Sequence, residues 1–476
     1  MPTKASATIR MYRLNELGDC FLLSFAAGRS TSHMLIDCGS FRNGGESIRR
    51  LKEITTLIAG ELNGKELDVV VGTHQHNDHV SGFVHCEREF ASMGVNEVWL
   101  SWLDDPRDRS ARRIGDDFNN LRAQLTAAAQ SLQKATESGR LDPAAAPPVE
   151  VLTDLMGFSG LAAAGDPPEV PANAVAILRK LGRDKPRYLK PGQVLDMPGL
   201  PAGSVRVHVL GPPRDDESLF RKDPRSGESY DHALAATTRM AGKFMRAAAA
   251  VAEEGGSLSG EDEDYPFVAR DKRRVGDPPS AGLATALARY DEAGSAWRKI
   301  DNDWLQQAAG LALYLDTFTN NSSLVLAIEL VESGKVLLFA ADAQTGNWSS
   351  WDAVAWPVGH GGTDDLLART VFYKVGHHAS HNATLVNTFE RTGGADLCAF
   401  IPVHKQDPNI KKKSGWKMPA RGLFKRLVEK TEGRVLQMDG VNPPECDPRG
   451  AASAAWKRAG LAPRVTADAV ELVIKG

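Results

Sequence analysis

Cysteine is scarce in this 476-residue chain: the five residues Cys20, Cys38, Cys86, Cys398 and Cys446 lie far apart and form no C-x-x-C pair. That disfavours a cysteine-ligated structural zinc and a dithiol redox centre. The thiols read as reduced and partly buried, in a cytoplasmic protein. Long apolar runs are lacking too. No stretch approaches the roughly 18 residues needed to span a bilayer, and the start MPTKASATIRMYRL has no apolar core of signal-peptide length, so no membrane association is expected. Charge of one sign is also missing. With a net charge of −3, the whole-chain balance speaks for neither nucleic acid nor membrane, and any electrostatic reading rests on local patches. What is present is 42% hydrophobic and 25% charged content, enough to bury a large core in a soluble globular protein.

The first strands are ATIRMYRL, CFLLSFAAG and HMLIDCG, short β-rich runs separated by turn-forming clusters, as in an antiparallel meander. SIRRLKEITTLIAGEL has apolar residues at helical spacing, and ELDVVVGTH reads as a buried strand followed by NEVWLSW. Two regions, residues 105 to about 190 and about 213 to 316, are rich in Ala, Arg, Asp, Pro and Gly and carry helical patterns. Around them strands return in SVRVHVLGPP, SSLVLAIELV, GKVLLFAAD and TVFYKVGHH. The economical organisation is one strand-rich α/β domain over the whole chain, interrupted by two helical insertions and followed by a C-terminal extension at about 441–476. The acidic, Gly- and Ser-containing stretch EEGGSLSGEDEDYPF is the best candidate for a mobile loop.

Histidine is uncommon as well, 12 in the whole chain, yet His74, His76 and His79 crowd with Asp78 behind the apolar strand in VVVGTHQHNDHVSG, residues 69–82. Chance is a poor explanation for H-x-H-x-D-H, and a solvated loop would not need it. A strand end delivers side chains into a turn where several can converge on one point. Imidazole and carboxylate donors with no thiolate nearby suit zinc, and the spacing suits a tight loop around two neighbouring ions.

At these residues the chain resembles the metallo-β-lactamase fold superfamily, whose H-x-H-x-D-H signature is matched by His74, His76, Asp78 and His79. Asp37 in LIDCG, Asp342 in VLLFAAD and the pair in KVGHH match further positions of that pattern. More narrowly, GDCFLLSF, NNSSLVLAIE, VLLFAAD and VFYKVGHHAS look like the competence-type branch, the hydrolase domain of bacterial DNA-internalisation proteins. The resemblance implies an αββα sandwich of two mixed sheets and two divalent metal ions, zinc first and manganese as the alternative. It implies that His74 and His76 hold one ion, Asp78 and His79 the other, and Asp342 bridges them. His377 is favoured as a further ligand, with His378 as an outer or leaving-group contact, although the order of the pair could be reversed. Asp37 would accept hydrogen bonds from the histidine loop and orient it. Asp78, Asp37 and His378 thus carry the implied catalytic roles.

The sequence departs from the family pattern as well. A further metal-binding histidine usually lies between the first cluster and the bridging Asp, and Gly211 in VHVLGPP stands at that point. His208 lies on the opposite strand face by period-two counting, and His232, inside the second insertion, is an outside candidate. The family's glycine after the paired histidines is Ala379, and a later Gly-His-Pro motif is replaced by WKMP at 416–419.

Two ions sharing a water can lower its pKa to near neutrality and present hydroxide to a polarised electrophile, so hydrolysis is the expected reaction. Phosphodiesters suit such a site well; lactones, lactams and thioesters remain alternatives, as does a regulatory or interaction protein on the same scaffold. The run HKQDPNIKKKSGWKMPARGLFKRL, with Lys405, Lys411, Lys412, Lys413, Lys417, Arg421, Lys425, Arg426 and Trp416, could steer nucleic acid or a nucleotide-like phosphodiester, or could be a solvated surface. The insertions offer surface for protein partners.

Overall fold

The computed structural model describes residues 3–138, 146–160, 170–221, 278–290, 292, 303–412 and 416–476. His232, Lys413 and the acidic stretch at 253–267 lie outside the described residues. The chain divides into two compact units, one of Met1–Asp116, Gly157–Asp231 and Asp316–Gly476, the other of Asp117–Met156 and His232–Leu315.

The larger unit holds two mixed sheets. The first contains β1 (Ala5–Tyr12), β2 (Cys20–Ala27), β3 (Ser30–Cys38), β4 (Leu67–Val71), β5 (Val95–Ser101) and β6 (Arg187–Leu189), with β14 (Arg464–Val465) and β15 (Ala469–Lys475) beyond β1. The opening meander is antiparallel from β1 to β3, whereas β3, β4, β5 and β6 run parallel. The second sheet orders as β13 (Val435–Gln437), β12 (Cys398–Ile401), β11 (Thr370–Lys374), β10 (Lys335–Phe339), β9 (Val325–Leu330), β8 (Val205–Gly211) and β7 (Val194–Asp196). Its half from β10 to β13 is parallel.

Strand alternation explains how the second sheet is buried on both faces. Leu337, Phe339, Phe372 and Phe400 enter the core shared with Met11, Phe21 and Leu23 of the first sheet, with Phe21 edge-on to Phe339 at 5.6 Å. The intervening Leu338, Tyr373 and Ala399 join a separate cluster with Trp348, Trp351 and Leu427. Helix Gly45–Leu62 contributes Leu51, Ile54, Ile58 and Leu62 to the shared core, a face set by three- and four-residue steps, each side chain contributing about 1.5–3 kcal/mol on burial.

Two expected boundaries need correction. The segment expected as a C-terminal extension supplies β15, which pairs antiparallel with β1 from Ser6↔Lys475 to Tyr12↔Ala469 and buries Val470, Leu472 and Ile474. Its alternating apolar residues make it a core strand. Within the stretch expected as the first insertion, helix Val170–Leu181 and β6 also belong to the larger unit, because Ala174 and Leu178 pack into the main core. All five cysteines are buried free thiols. No helix among the described residues is long and apolar enough to cross a membrane.

Candidate metal centre

Parallel strands end on the same side of a sheet, and here β3 and β4 in one sheet and β10 and β11 in the other all end at one place. Asp37 closes β3, the histidine loop follows β4, Asp342 follows β10, and His377 and His378 follow β11. Every one of these side chains is buried.

The histidine loop runs into helix Asn77–His85, so Asp78 sits in its first turn, where the helix dipole favours a carboxylate. The loop is packed tightly on the end of β3. A Cβ at Gly39 would fall 2.4 Å from the Asp78 carbonyl carbon and from the His79 nitrogen, so only glycine permits this approach. Asp37 accepts hydrogen bonds from the Thr73 N–H at 2.8 Å, the Thr73 hydroxyl at 2.7 Å and His79 Nδ1–H at 2.7 Å. With its hydroxyl proton committed to Asp37, Thr73 Oγ1 accepts from His74 Nδ1–H at 3.0 Å. The Pro402 carbonyl accepts from His378 Nδ1–H at 2.6 Å.

These outer partners fix which nitrogen of His74, His79 and His378 faces inward. His74, His79 and His378 all turn Nε2 towards the centre. His76 presents Nδ1, which lies 3.2 Å from His74 Nε2. His378 Nε2 lies 2.8 Å from Asp78 Oδ2, and His79 Nε2 lies 3.2 Å from Asp342 Oδ2. One oxygen of Asp342 is already committed, because Oδ1 accepts from Lys374 Nζ at 3.1 Å and from the His377 N–H at 2.9 Å. Asp342 Oδ2, Asp78 Oδ1 and His79 Nε2 are buried without a hydrogen-bond partner. Leaving such atoms unpaired costs about 1–3 kcal/mol each, and a cation among them removes that cost. Asp78, His79, Asp342 and His378 lie close enough together for one ion. This donor set fits a divalent metal.

Electrostatics separates the rings. Burial, with His79 and His76 nearby, holds His74 well below the ordinary imidazole range, and burial takes His76 down to about 3, so both present neutral lone pairs. Burial also disfavours charge on His79, but Asp342, Asp19 and Asp37 outweigh it and hold its pKa well above the usual range. His378 is raised against burial by Asp78 and Asp342. At these two rings an ion would compete with protons.

The pair in KVGHH departs from the favoured order. His378 joins the cluster, whereas His377 lies to one side with Nδ1 accepting from the Gln344 amide at 3.2 Å. The physical reason is a left-handed backbone at His377, His378 and Ala379, with φ of 44°, 49° and 62°, which swings the second ring inward. His208 is remote from the centre, hydrogen-bonded to Glu329 at 2.9 Å. No side chain fits at position 211: a Cβ on Gly211 would meet Asn347 Oδ1 at 2.3 Å, and that amide is fixed by bonds to the carbonyls of Asn321 and Ser323.

Residues outside the recognised motif also take part. Buried Asp19 pairs with the buried ammonium of Lys374. Asp19, Asp37 and His79 form a second group, in which Lys374 pairs with Asp19 Oδ2, Asp37 is taken by Thr73 and His79, and Asp19 Oδ1 is left without a partner. Asp316, in helix Asp303–Asn321, places Oδ1 3.8 Å from His76 Nε2. Burial, with Asp342 and Asp78 close by, pushes its carboxyl up to about 7. Phe158 lies 5.4 Å from the His76 ring and stacks on Trp416 at 4.9 Å. Asp19 and Lys374 adjoin quoted motifs in GDC and KVGHH, whereas nothing local marks Asp316 or Phe158.

Residues 17–173 match the family model of the metallo-beta-lactamase superfamily. The match includes Asp37 and the whole histidine loop and stops before Asp342 and His378, which the second sheet supplies. The two mixed sheets with their helices are consistent with the metallo-beta-lactamase fold. That superfamily consists largely of metal-dependent hydrolases, and the match together with the buried His/Asp cluster implies a metal-dependent hydrolase. No curated protein matches the chain.

Proposed function

We propose that the protein is a binuclear metal-dependent hydrolase whose substrate is a phosphodiester. The observation that carries this reading is the convergence of inward-facing atoms from four rings and two carboxylates, with the outer atoms of His74, His79, His378 and Asp342 held by other groups. His74 Nε2 and His76 Nδ1 would hold one ion. Asp78, His79 Nε2 and His378 Nε2 would hold the other, and Asp342 would serve both through Oδ2. Imidazole-rich donors without a thiolate favour zinc, with manganese as the alternative. When bound, such ions lower the pKa of a water and polarise an electrophilic oxygen.

The chain's own residues supply the orientation. Asp37 keeps His79 turned inward, the Pro402 carbonyl does the same for His378, and Lys374 with the His377 N–H leaves Asp342 a single free oxygen. Lys374 also balances the carboxylates of Asp19 and Asp342. A phosphodiester is favoured over a lactone, lactam or thioester because an in-line displacement places charge on both attacking and leaving oxygens, matching a two-cation site. The likeness to the competence-type branch supports the same class.

The basic run favours a small, nucleotide-like phosphodiester over a polynucleotide. Trp416 is packed against Phe158, which stacks on it, and against Phe41, and so is engaged within the fold. Arg426 pairs with Glu390 at 2.5 Å and Lys425 with Glu429 at 3.8 Å, which offsets part of the positive charge those cations could offer. A purely structural scaffold would keep the unpaired buried donors at a cost with no return, which supports an enzyme. The test is a panel of a small chromogenic phosphodiester, single-stranded DNA, a lactone and a β-lactam with the zinc-loaded chain. Preferred turnover of the small phosphodiester is expected. Turnover of the lactone or lactam alone would overturn the substrate class.

A further inference from the structure

Three of the four inward-facing rings have an acceptor for the proton on their outer nitrogen: Thr73 Oγ1 for His74, Asp37 for His79 and the Pro402 carbonyl for His378. The fourth, His76, is the exception. Its Nδ1 faces His74 Nε2, while its Nε2 is buried with no hydrogen-bond partner. Facing it at 3.8 Å is Asp316 Oδ1, which is also buried and without a partner. The other carboxylate oxygen is anchored one helical turn away, where Asn320 Nδ2 donates to Asp316 Oδ2 at 3.1 Å.

We propose that Asp316 is the positioning residue for His76, accepting the proton of Nε2 so that Nδ1 presents its lone pair to the ion. The inference rests on the metal-centre reading above. Two unpartnered buried polar atoms facing each other are an arrangement proteins avoid unless something completes it. As the rings stand, His76 Nδ1–H can donate to the lone pair of His74 Nε2. A cation in contact with both atoms cannot coexist with that proton. The proton then moves to Nε2, and Asp316 Oδ1 is the acceptor placed to receive it. Catalytic-site contacts that are long before loading tighten in this way on binding. Asp316 would thus do for His76 what Asp37 does for His79, one carboxylate from a helix and the other from a strand end.

Asp316 is the carboxylate that faces His76 Nε2. Gln344 donates to His377, the ring of Phe158 offers only an apolar face to His76, and Gly211 has no side chain and no room for one. Asp316 would thus steady His76 from the last turns of helix Asp303–Asn321.

The test is zinc binding by the full chain, followed by chelator competition and elemental analysis, for wild type, Asp316→Ala and Asp316→Asn. The expected result is the same stoichiometry in all three, with the ion assigned to His74 and His76 loosened roughly 10- to 100-fold in Asp316→Ala and most of that loss recovered in Asp316→Asn, whose amide oxygen still accepts. Affinity unchanged in Asp316→Ala would overturn the proposal, and so would loss of a whole ion in both variants, which would make Asp316 a direct ligand. Should the alanine variant fail to fold, 15N NMR of the zinc-loaded wild type decides the matter: the proton must reside on His76 Nε2, and a proton on Nδ1 contradicts the assignment. A wild type that binds no zinc refutes the metal centre itself, an outcome distinct from two ions bound with equal strength in wild type and Asp316→Ala.

Discussion

The two loops that meet in the metal centre are held in place by different means. The loop after β4 has no left-handed residue between Gly72 and His79, and it is positioned by contacts: three hydrogen bonds to Asp37 and the close approach of Gly39. The loops after β10 and β11 carry positive φ at Ala341, His377, His378 and Ala379, none of them glycine. Each such residue costs about 1–2 kcal/mol, which the surrounding core must offset. The histidine loop itself is therefore set by side-chain contacts, although its anchor Asp37 has a left-handed φ of 56°. The loops after β10 and β11 are set by backbone conformation, with Lys374 and the His377 N–H fastening them to Asp342.

The sharpest way to break this comparison is within the second loop. His378→Ala should lose one ion equivalent and lower hydrolysis by several orders of magnitude, whereas His377→Ala should retain both ions and lose roughly 10-fold in rate, as a group outside the ligand set does. Elemental analysis of both variants decides it, and equal metal loss would show that the loop can present either ring. Beneath the first loop, at the end of β3, Gly39→Ala should destabilise the protein by about 3 kcal/mol or more, because the methyl group meets backbone that cannot move without taking Asp78 and His79 with it. Urea denaturation measures this, and a change under about 0.5 kcal/mol would mean that the loop yields easily. The smallest effect is expected at Ala379, where glycine removes the left-handed strain but also a buried methyl. Ala379→Gly should change stability by less than about 1 kcal/mol in either direction and leave metal content intact. Loss of an ion there would show that the methyl group itself positions His378.

The same contrast governs what could be read from the sequence. The histidine loop is legible because its four donors lie within six positions behind one strand. Asp342 and the KVGHH pair emerge only through resemblance, since strand pairing between β10 and β11 is what brings them together. Which of His377 and His378 faces inward is beyond sequence reading, because it turns on left-handed φ values at residues that rarely adopt them. Asp316 is hidden for another reason. It lies on a helix with no motif around it, and its meaning appears only when His76 Nε2 is found facing it. The C-terminal strand β15 alternates as a strand should, yet its partner β1 is the first strand of the chain, more than 450 residues away in register, so its place in the core sheet needs the fold.

The central claim is that these buried donors exist to hold metal, and the most direct measurement is elemental analysis of the purified full chain beside the double variant Asp78→Ala/His79→Ala. About two ions per chain are expected in the wild type, zinc foremost. The double variant, which removes two donors from one side of Asp342, should retain about one at most and show no measurable phosphodiester hydrolysis. Metal content equal in the two proteins would contradict the account.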